Sequence, residues 1–460
     1  MEQEQTQQTI QEILNKYIQT NTISAWSIYS NTNKKNNIYI QKEFKIETEL
    51  KALRDEKTIT ITKQTKDNMS QSSFVVTSNI TTKEFEEQLQ QSLISLEYSK
   101  IKPYELPKLQ DKEVNDENIN YQDFSDVKTR EFLEQDNLLD YVKTQLESIK
   151  TILKQEETQN EKYILNYMEI LTQLKTLELE TSTNINKTQN KESIYIEFVI
   201  TSIDKNTNEE KEFIVYHNVV DFMNFYLPEF FKENLQNAKA AKIAKNTQSQ
   251  NTNVILTNKA IVDFFLPDLT SNSVIAHASS RLKFMNMSKY EKGKEVLQAK
   301  KDKLTICSNP FIKNHSNTSA FDNEGLTSKK ITILEDNIVK NLFGNKQFSS
   351  YLNEEPTGSL GVIEINTGNT TYDELINDNT IEIISFSSFV PDIVSGDFSA
   401  EIRLAYKYEN GVKTPIKGGL FSANIFQILA NCHLSKEELE ENGYKGPKHI
   451  KFYECDITGL

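Results

Sequence analysis

The sequence predicts an α+β protein: an N-terminal small α/β domain, a middle strand-rich block with a long helix, and a C-terminal, mainly antiparallel β domain carrying helices. Two patterns predict it. Short runs alternating at a period of two, rich in Ile, Val, Thr and Tyr, recur along the chain as half-buried strands require. Among them stand segments whose apolar residues step by three and four, the spacing of a packed helix face. At 460 residues the chain has room for two or three domains of ordinary size.

Ile10, Ile13, Leu14 and Tyr17 at helical spacing open the chain with an amphipathic helix. Strand-like runs follow at 24–30, 37–46, 57–63 and 72–78, separated by polar turns. Thr81 or Thr82 caps the next helix, whose first turns are acidic, as the helix dipole favours. Pro103 and Pro107 mark a linker, which closes a first domain at 1–105. A long helix starts near Asp126. Its stripe of Leu139, Val142, Leu146, Ile149 and Leu153 lasts about two heptads, too short for a coiled-coil seam, so core packing is expected. Strands at 176–183, 193–203 and 212–217 complete a middle block, 125–218. In the third block, 219–460, a helix at 219–244 precedes a buried strand, Val254 to Leu256, and strands then dominate from about 300. Glu409-Asn410-Gly411 signals a hairpin, since Asn-Gly supports the positive φ angles of a type I′ turn. The acidic stretch Glu437-Glu438-Glu440-Glu441 reads as the solvated face of a short helix.

Composition narrows the function classes. The net charge of −14, from 66 acidic and 52 basic residues, argues against direct nucleic-acid binding, which needs a concentrated basic face. Hydrophobic residues make up only 37% of the chain, but 24 Phe and 19 Tyr each bury enough area to supply a core. The first residues show no basic region followed by an apolar run, and no window approaches the ~20 apolar residues of a membrane helix. The 3 cysteines form no CxxC pair, so a cytoplasmic, reducing setting is expected.

Standard catalytic spacings are absent: no GxxxxGK[ST], no GxSxG and no HExxH. His217, His277, His315, His433 and His449 are too far apart in sequence for a local imidazole pair. His277 stands near Ser279 and Ser280 without an evident orienting carboxylate. Cys432 and His433 are adjacent and point in different directions from a regular element, so a shared metal would need a special turn and a structural or surface role is expected. Asp322 and Glu324 precede Gly325 in a chain with only 13 glycines; a positive-φ turn capped by its carboxylates is the expectation.

Three stretches carry a family resemblance. Residues 390–419 contain Ser395, Gly396, Asp397, Phe398 and Ser399, then the Asn410-Gly411 hairpin, then Pro415-Ile416-Lys417-Gly418. Residues 320–343 hold the Asp-Asn-Glu-Gly turn and a following hairpin, and the chain ends in ECDITGL. These resemble the TldD/PmbA family, the modulator of DNA gyrase-like metallopeptidases, over roughly 250–460. The resemblance implies a HExxxH zinc helix after a buried strand in catalytic members, with a late cysteine as a further ligand. The matching window here is 266–271, where Leu266 and Ser271 replace the histidines and Pro267 the glutamate. Leucine has no lone pair for a metal and proline is no base, so zinc hydrolysis at this window is excluded.

The chain therefore resembles the PmbA (TldE) side of the family, whose members lack the zinc motif. The resemblance implies a non-catalytic, pseudoenzyme-like subunit with no catalytic residue, metal or cofactor of its own. Zinc would sit in a TldD-like partner of a heterodimer that hydrolyses unfolded peptides or peptide leaders. Ser395 to Ser399 and the strand before them are the candidate peptide-binding edge, since an edge strand holds an extended peptide by main-chain hydrogen bonds. No nucleic acid or membrane partner is expected. Two rivals stay open: an independent metallopeptidase with dispersed ligands such as His277, Cys432 or His433, and a homodimeric, non-enzymatic peptide-binding or scaffold protein.

Overall fold

The computed structural model describes residues 2–114, 125–267 and 272–459. Long strands from the first two blocks build a single sheet. In chain order the elements are α1 (Glu2–Gln19), β1 (Ala25–Gln41), β2 (Lys45–Gln64), β3 (Met69–Thr77), α2 (Thr82–Ser95), β4 (Lys100–Ile101), α3 (Val127–Glu134), α4 (Leu138–Glu156), β5 (Glu161–Thr181), β6 (Asn186–Asp204), β7 (Glu210–Val219) and α5 (Leu227–Ile243). The seven strands lie in the order β4-β3-β2-β1-β5-β6-β7, all neighbours antiparallel. Pairing of β1 with β5, Tyr29 opposite Leu179 and Asn37 opposite Leu171, carries the sheet across the sequence-based division at 105–125.

Two strands expected at 24–30 and 37–46 are one. The polar run 31–36 of β1 pairs with 51–56 of β2 on one side and with 172–177 of β5 on the other. Partners on both sides satisfy the backbone, and this outweighs local turn preference. Helices α1, α2, α4 and α5 cover one face. Trp26 and Ile28 meet Ile10, Leu14, Phe85 and Leu89 of α1 and α2. Farther along that face, Ile38, Ile40 and Phe198 share a core with Val142, Leu146 and Ile149 of α4 and Phe231 and Leu235 of α5. The expected long helix is two helices, broken where Asp136 takes a φ of 62°. Leu138, not Leu139, completes the buried stripe of α4. Although α5 falls in the 219–460 block, its apolar face belongs to the core of this first sheet.

The second half contains β8 (Lys245–Asn246), β9 (Gln250–Thr257), α6 (Lys259–Phe265), α7 (Ser273–Ala276), α8 (Ser280–Phe284), β10 (Ile306–Asn309), β11 (Ile331–Glu335), β12 (Ile338–Val339), α9 (Lys346–Leu352), β13 (Val362–Ile365), α10 (Tyr372–Leu375), β14 (Thr380–Pro391), β15 (Asp397–Glu409), β16 (Val412–Lys417), β17 (Leu420–Asn424), α11 (Ile425–Leu429), β18 (Cys432–Leu434), β19 (Glu438–Glu441), β20 (Tyr444–Pro447) and β21 (His449–Thr458). The run β14-β9-β21-β17-β15 closes on itself, because β14 also pairs with β15. A second sheet runs β12-β11-β10-β13-β20-β19. Both share a core that includes Val254, Phe264, Ile306, Ile363 and Phe452. Among the described residues the parallel pairs are β9/β14, β8/β16 and β13/β20, so the half is mainly antiparallel as expected.

Asn410 and Gly411 take φ of 53° and 72°, and the β15–β16 hairpin forms at the expected place. The acidic stretch is not helical: Glu438–Glu441 is a strand paired to β20 through Asn442-Gly443, a second Asn-Gly turn with Gly443 at φ 83°. Among the described residues no helix is long and apolar enough to cross a membrane.

Candidate functional site

The helix that follows the buried strand β9 is α6, so the window 266–271 is not that helix. Leu266 is its C-terminal cap, and residues 268–271, Ser271 included, lie outside the described residues. Ala260, Ile261, Phe264 and Phe265 of α6 are fully buried. The Phe264 ring lies 5.8 Å from both Phe389 and Phe398 and 5.5 Å from Phe452, an aromatic cluster that fills the space between α6, β14 and β15. Its polar residues Lys259 and Asp263 pair with each other at 2.5 Å. This helix offers no imidazole.

The strand leading to the Ser395–Ser399 turn is β14. It pairs with β15 along its length, but with β9 only from Thr380 to Ile383; beyond that α6 lies against it. Ser387, Ser388 and Val390 are exposed there. The turn itself is built by Asp392, whose Oδ1 accepts from the Val394 and Ser395 N–H groups, holding its carboxyl below the usual range. Gly396, at φ 89°, packs on Phe426, where a Cβ would sit 2.7 Å from Cδ2. Asp397 is exposed and accepts from Asn424 Nδ2 at 2.9 Å; Ser399 and Ser422 hydroxyls meet at 3.0 Å. Phe398 is buried in the aromatic cluster, so its side chain faces the core and not the surface.

The candidate metal ligands are not brought together. His277 accepts from the Lys289 N–H at Nδ1 (2.8 Å) and donates from Nε2 to the Val394 carbonyl (3.0 Å), which requires the neutral ring. Burial lowers its pKa in keeping with that. The Ser280 hydroxyl donates to the Phe343 carbonyl and not to His277. Cys432 is fully buried, its thiol pushed far up by burial, while His433 on the other side of β18 meets Asp302 at 3.2 Å. Among the described residues no group of three His, Cys, Asp or Glu side chains is arranged to hold a metal ion.

Asp322 and Glu324 behave differently from one another. Asp322 Oδ1 caps the turn, accepting from the Glu324 and Leu326 N–H groups, both at 2.9 Å, while its Oδ2 is buried without a hydrogen bond. Burial first, and the nearby Glu324 second, raise this carboxyl to about 7. Glu324 instead reaches across the molecule: Tyr104 OH donates to Oε1 at 3.0 Å and the Lys346 N–H to Oε2 at 2.8 Å. The turn is thus a wedge on the seven-stranded sheet. Ala320, Phe321 and Leu326 form a small core with Val114, Leu179 and Ile185. Gly325, at φ 88°, lies so close that a Cβ would meet Ile185 Cγ2 at 2.9 Å. Sequence reasoning placed Tyr104 in a linker; its one signal is an aromatic between Pro103 and Pro107, too large to leave in solvent.

Residues 249–459 match the family model of the PmbA/TldA metallopeptidase C-terminal domain. That stretch is a C-terminal domain of the PmbA/TldD family. Its fold is that of TldE from Thermococcus kodakarensis, at a TM-score of 0.74 and 14% identity, covering 98% of this chain and 100% of that one. A protein from Bacteroides thetaiotaomicron described as a modulator of DNA gyrase gives 0.75 at 14% identity and 99% of both chains. A Thermotoga maritima protein of the same description gives 0.74 at 14%, over 98% and 99%. An uncharacterized Methanocaldococcus jannaschii protein, MJ0231, is 24% identical over 167 residues, which are 33% of this chain and 39% of that relative. Within this domain, two of the landmark stretches, 390–419 and the C-terminal strand, meet in the closed strand run through β15, β17 and β21. The third, 320–343, docks the domain on the first sheet.

Proposed function

We propose that this chain is a TldE-like, non-catalytic subunit of a cytoplasmic TldD/PmbA-type metallopeptidase complex. It acts in proteolysis of unfolded peptides or peptide leaders by supporting a zinc-bearing TldD-like subunit. The observation that carries the reading is α6. In catalytic members of the family the helix after the buried strand presents imidazoles; here its buried side is Ala260, Ile261, Phe264 and Phe265, packed into an aromatic core. No small rearrangement turns that face into a zinc site, because apolar side chains lack the lone pairs a metal needs.

The subunit's part is to hold substrate. An extended peptide adds to the β14 surface at 387–391 through main-chain hydrogen bonds and runs toward Ser395, Asp397 and Ser399, while Gly396 and Phe398 shape the turn from behind. The test is a native pull-down of the tagged full-length chain, reading partner identity, mass and zinc together. A similar-sized partner carrying HExxxH, with zinc in the complex and not in the isolated chain, is expected. A partner-free homodimer that binds peptide without turnover would replace this reading with the scaffold one.

A further inference from the structure

The face of the seven-stranded sheet opposite α1, α2, α4 and α5 carries a cleft that the subunit role does not use. Its volume is about 240 Å³. The floor is Ala25 and Ser27 of β1, Thr60 and Thr62 of β2, and Gln71 and Ser73 of β3. The walls come from Tyr104 and from Glu324, Asn345 and Gln347 of the second half, so the cleft exists only because the two halves dock. Hydroxyls and amides dominate the lining. Glu324 is its single carboxylate, and no lysine, arginine or histidine is among the lining residues.

That carboxylate is held in place from two sides. Gln71 Nε2 donates to the Tyr104 hydroxyl at 3.1 Å, and Tyr104 in turn donates to Glu324 Oε1. The Lys346 N–H fixes Oε2. Each oxygen keeps a further lone pair for a donor arriving from the cleft. A half-desolvated carboxylate among neutral dipoles attracts a cation more strongly than one in water does, because screening is weaker there. We propose that this cleft binds a ligand through a primary ammonium group, either a peptide N-terminus or a lysine side chain, paired with Glu324 and surrounded by the threonine, serine and glutamine side chains. Burial raises the Glu324 carboxyl above its ordinary range, and the groups facing it are Tyr104, Asp322 and Lys346. An arriving ammonium opposes that shift and favours the ionised carboxylate.

The inference stands apart from the subunit role, since it is tested on the isolated full-length chain without partner or turnover. Titration calorimetry would compare Nα-acetyl-lysine methylamide with its Nε-acetyl form, and a lysine-free tripeptide amide with its N-acetyl form. The expected result is that one or both free amines bind and acetylation weakens binding by about tenfold or more, equivalent to ~1.4 kcal/mol. Which amine binds identifies the source. Glu324→Gln is expected to weaken binding to the same degree. Because Glu324 also ties down Tyr104 and α9, Ser73→Trp serves as the second variant: it fills the mouth from an exposed position and leaves Glu324 in place, and is expected to abolish binding at unchanged Tm. Equal binding of blocked and free amines, binding by neutral sugars alone, no binding at millimolar amine, or full binding by Ser73→Trp would each overturn the proposal.

Discussion

Asp322 is a carboxyl whose position favours its protonated form. Both its turn-capping bonds go to Oδ1, and Oδ2 sits buried without a hydrogen bond. Its carboxyl therefore rises from 3.8 to about 7, through burial and then Glu324. In the folded chain the proton is retained where the unfolded chain has already lost it. Stability accordingly falls as pH rises from about 4 to about 7, and the loss is complete above that. Asp322→Asn keeps the Oδ1 acceptor and carries no charge, so it should flatten this slope and raise Tm most above neutral pH. Thermal unfolding of both proteins between about pH 4 and 8 measures it, and parallel curves would mean that Asp322 titrates normally. The sequence showed that Asp322 and Glu324 flank a special glycine turn. It could not show that one carboxylate caps the turn while the other crosses to Tyr104, because that division depends on what lies opposite.

At the level of single elements, helices were more legible than strands. Helix α2 ends its N-terminus with a full capping box: Glu84 N–H donates to the Thr81 hydroxyl, and Thr81 N–H to the Glu84 carboxylate. Thr81→Ala removes one of those partners and should cost about 1 kcal/mol, read as a lower urea midpoint at unchanged m. An unchanged midpoint would mean that α2 is held by Phe85 and Leu89 packing alone. The buried stripe of α4 could be read from spacing because a helix repeats its core face locally. Strands β1 and β2 could not, since their polar stretches owe their conformation to partners more than a hundred residues away in the case of β5. The stretch at 438–441 was misread for a related reason: charge suggested a helix surface, while the Asn442-Gly443 turn and β20 impose a strand.

Across the whole molecule, the two halves are joined by a small core. Leu326, Phe321 and Ala320 from the wedge meet Val114, Leu179 and Ile185, and Gln189 Oε1 accepts from the Ala320 N–H at 2.9 Å. Leu326→Ala should lose about 2–5 kcal/mol of docking and leave the separate cores of each half intact. Calorimetry is expected to show the unfolding transition broadening or splitting in two. A single transition at the wild-type Tm would show that the halves are coupled elsewhere, for instance through α5, which packs on both the first sheet and β15 and β16. This docking also decides the amine cleft, whose floor and walls come from opposite halves.

The sequence by itself determined the α+β class, the buried strand Val254 to Leu256, the Asn410-Gly411 hairpin and the family landmarks between 320 and the end. Each of these is encoded over a few neighbouring residues, through turn chemistry, side-chain periodicity or a motif. Only the tertiary structure decided that the first two blocks share one sheet, that the helix beside β14 is Lys259–Phe265, and that Glu324 with Tyr104 walls a cleft. Those features arise from backbone pairing and burial between segments distant in the chain. Their energy depends on the partner and not on local propensity, so no window of sequence contains it.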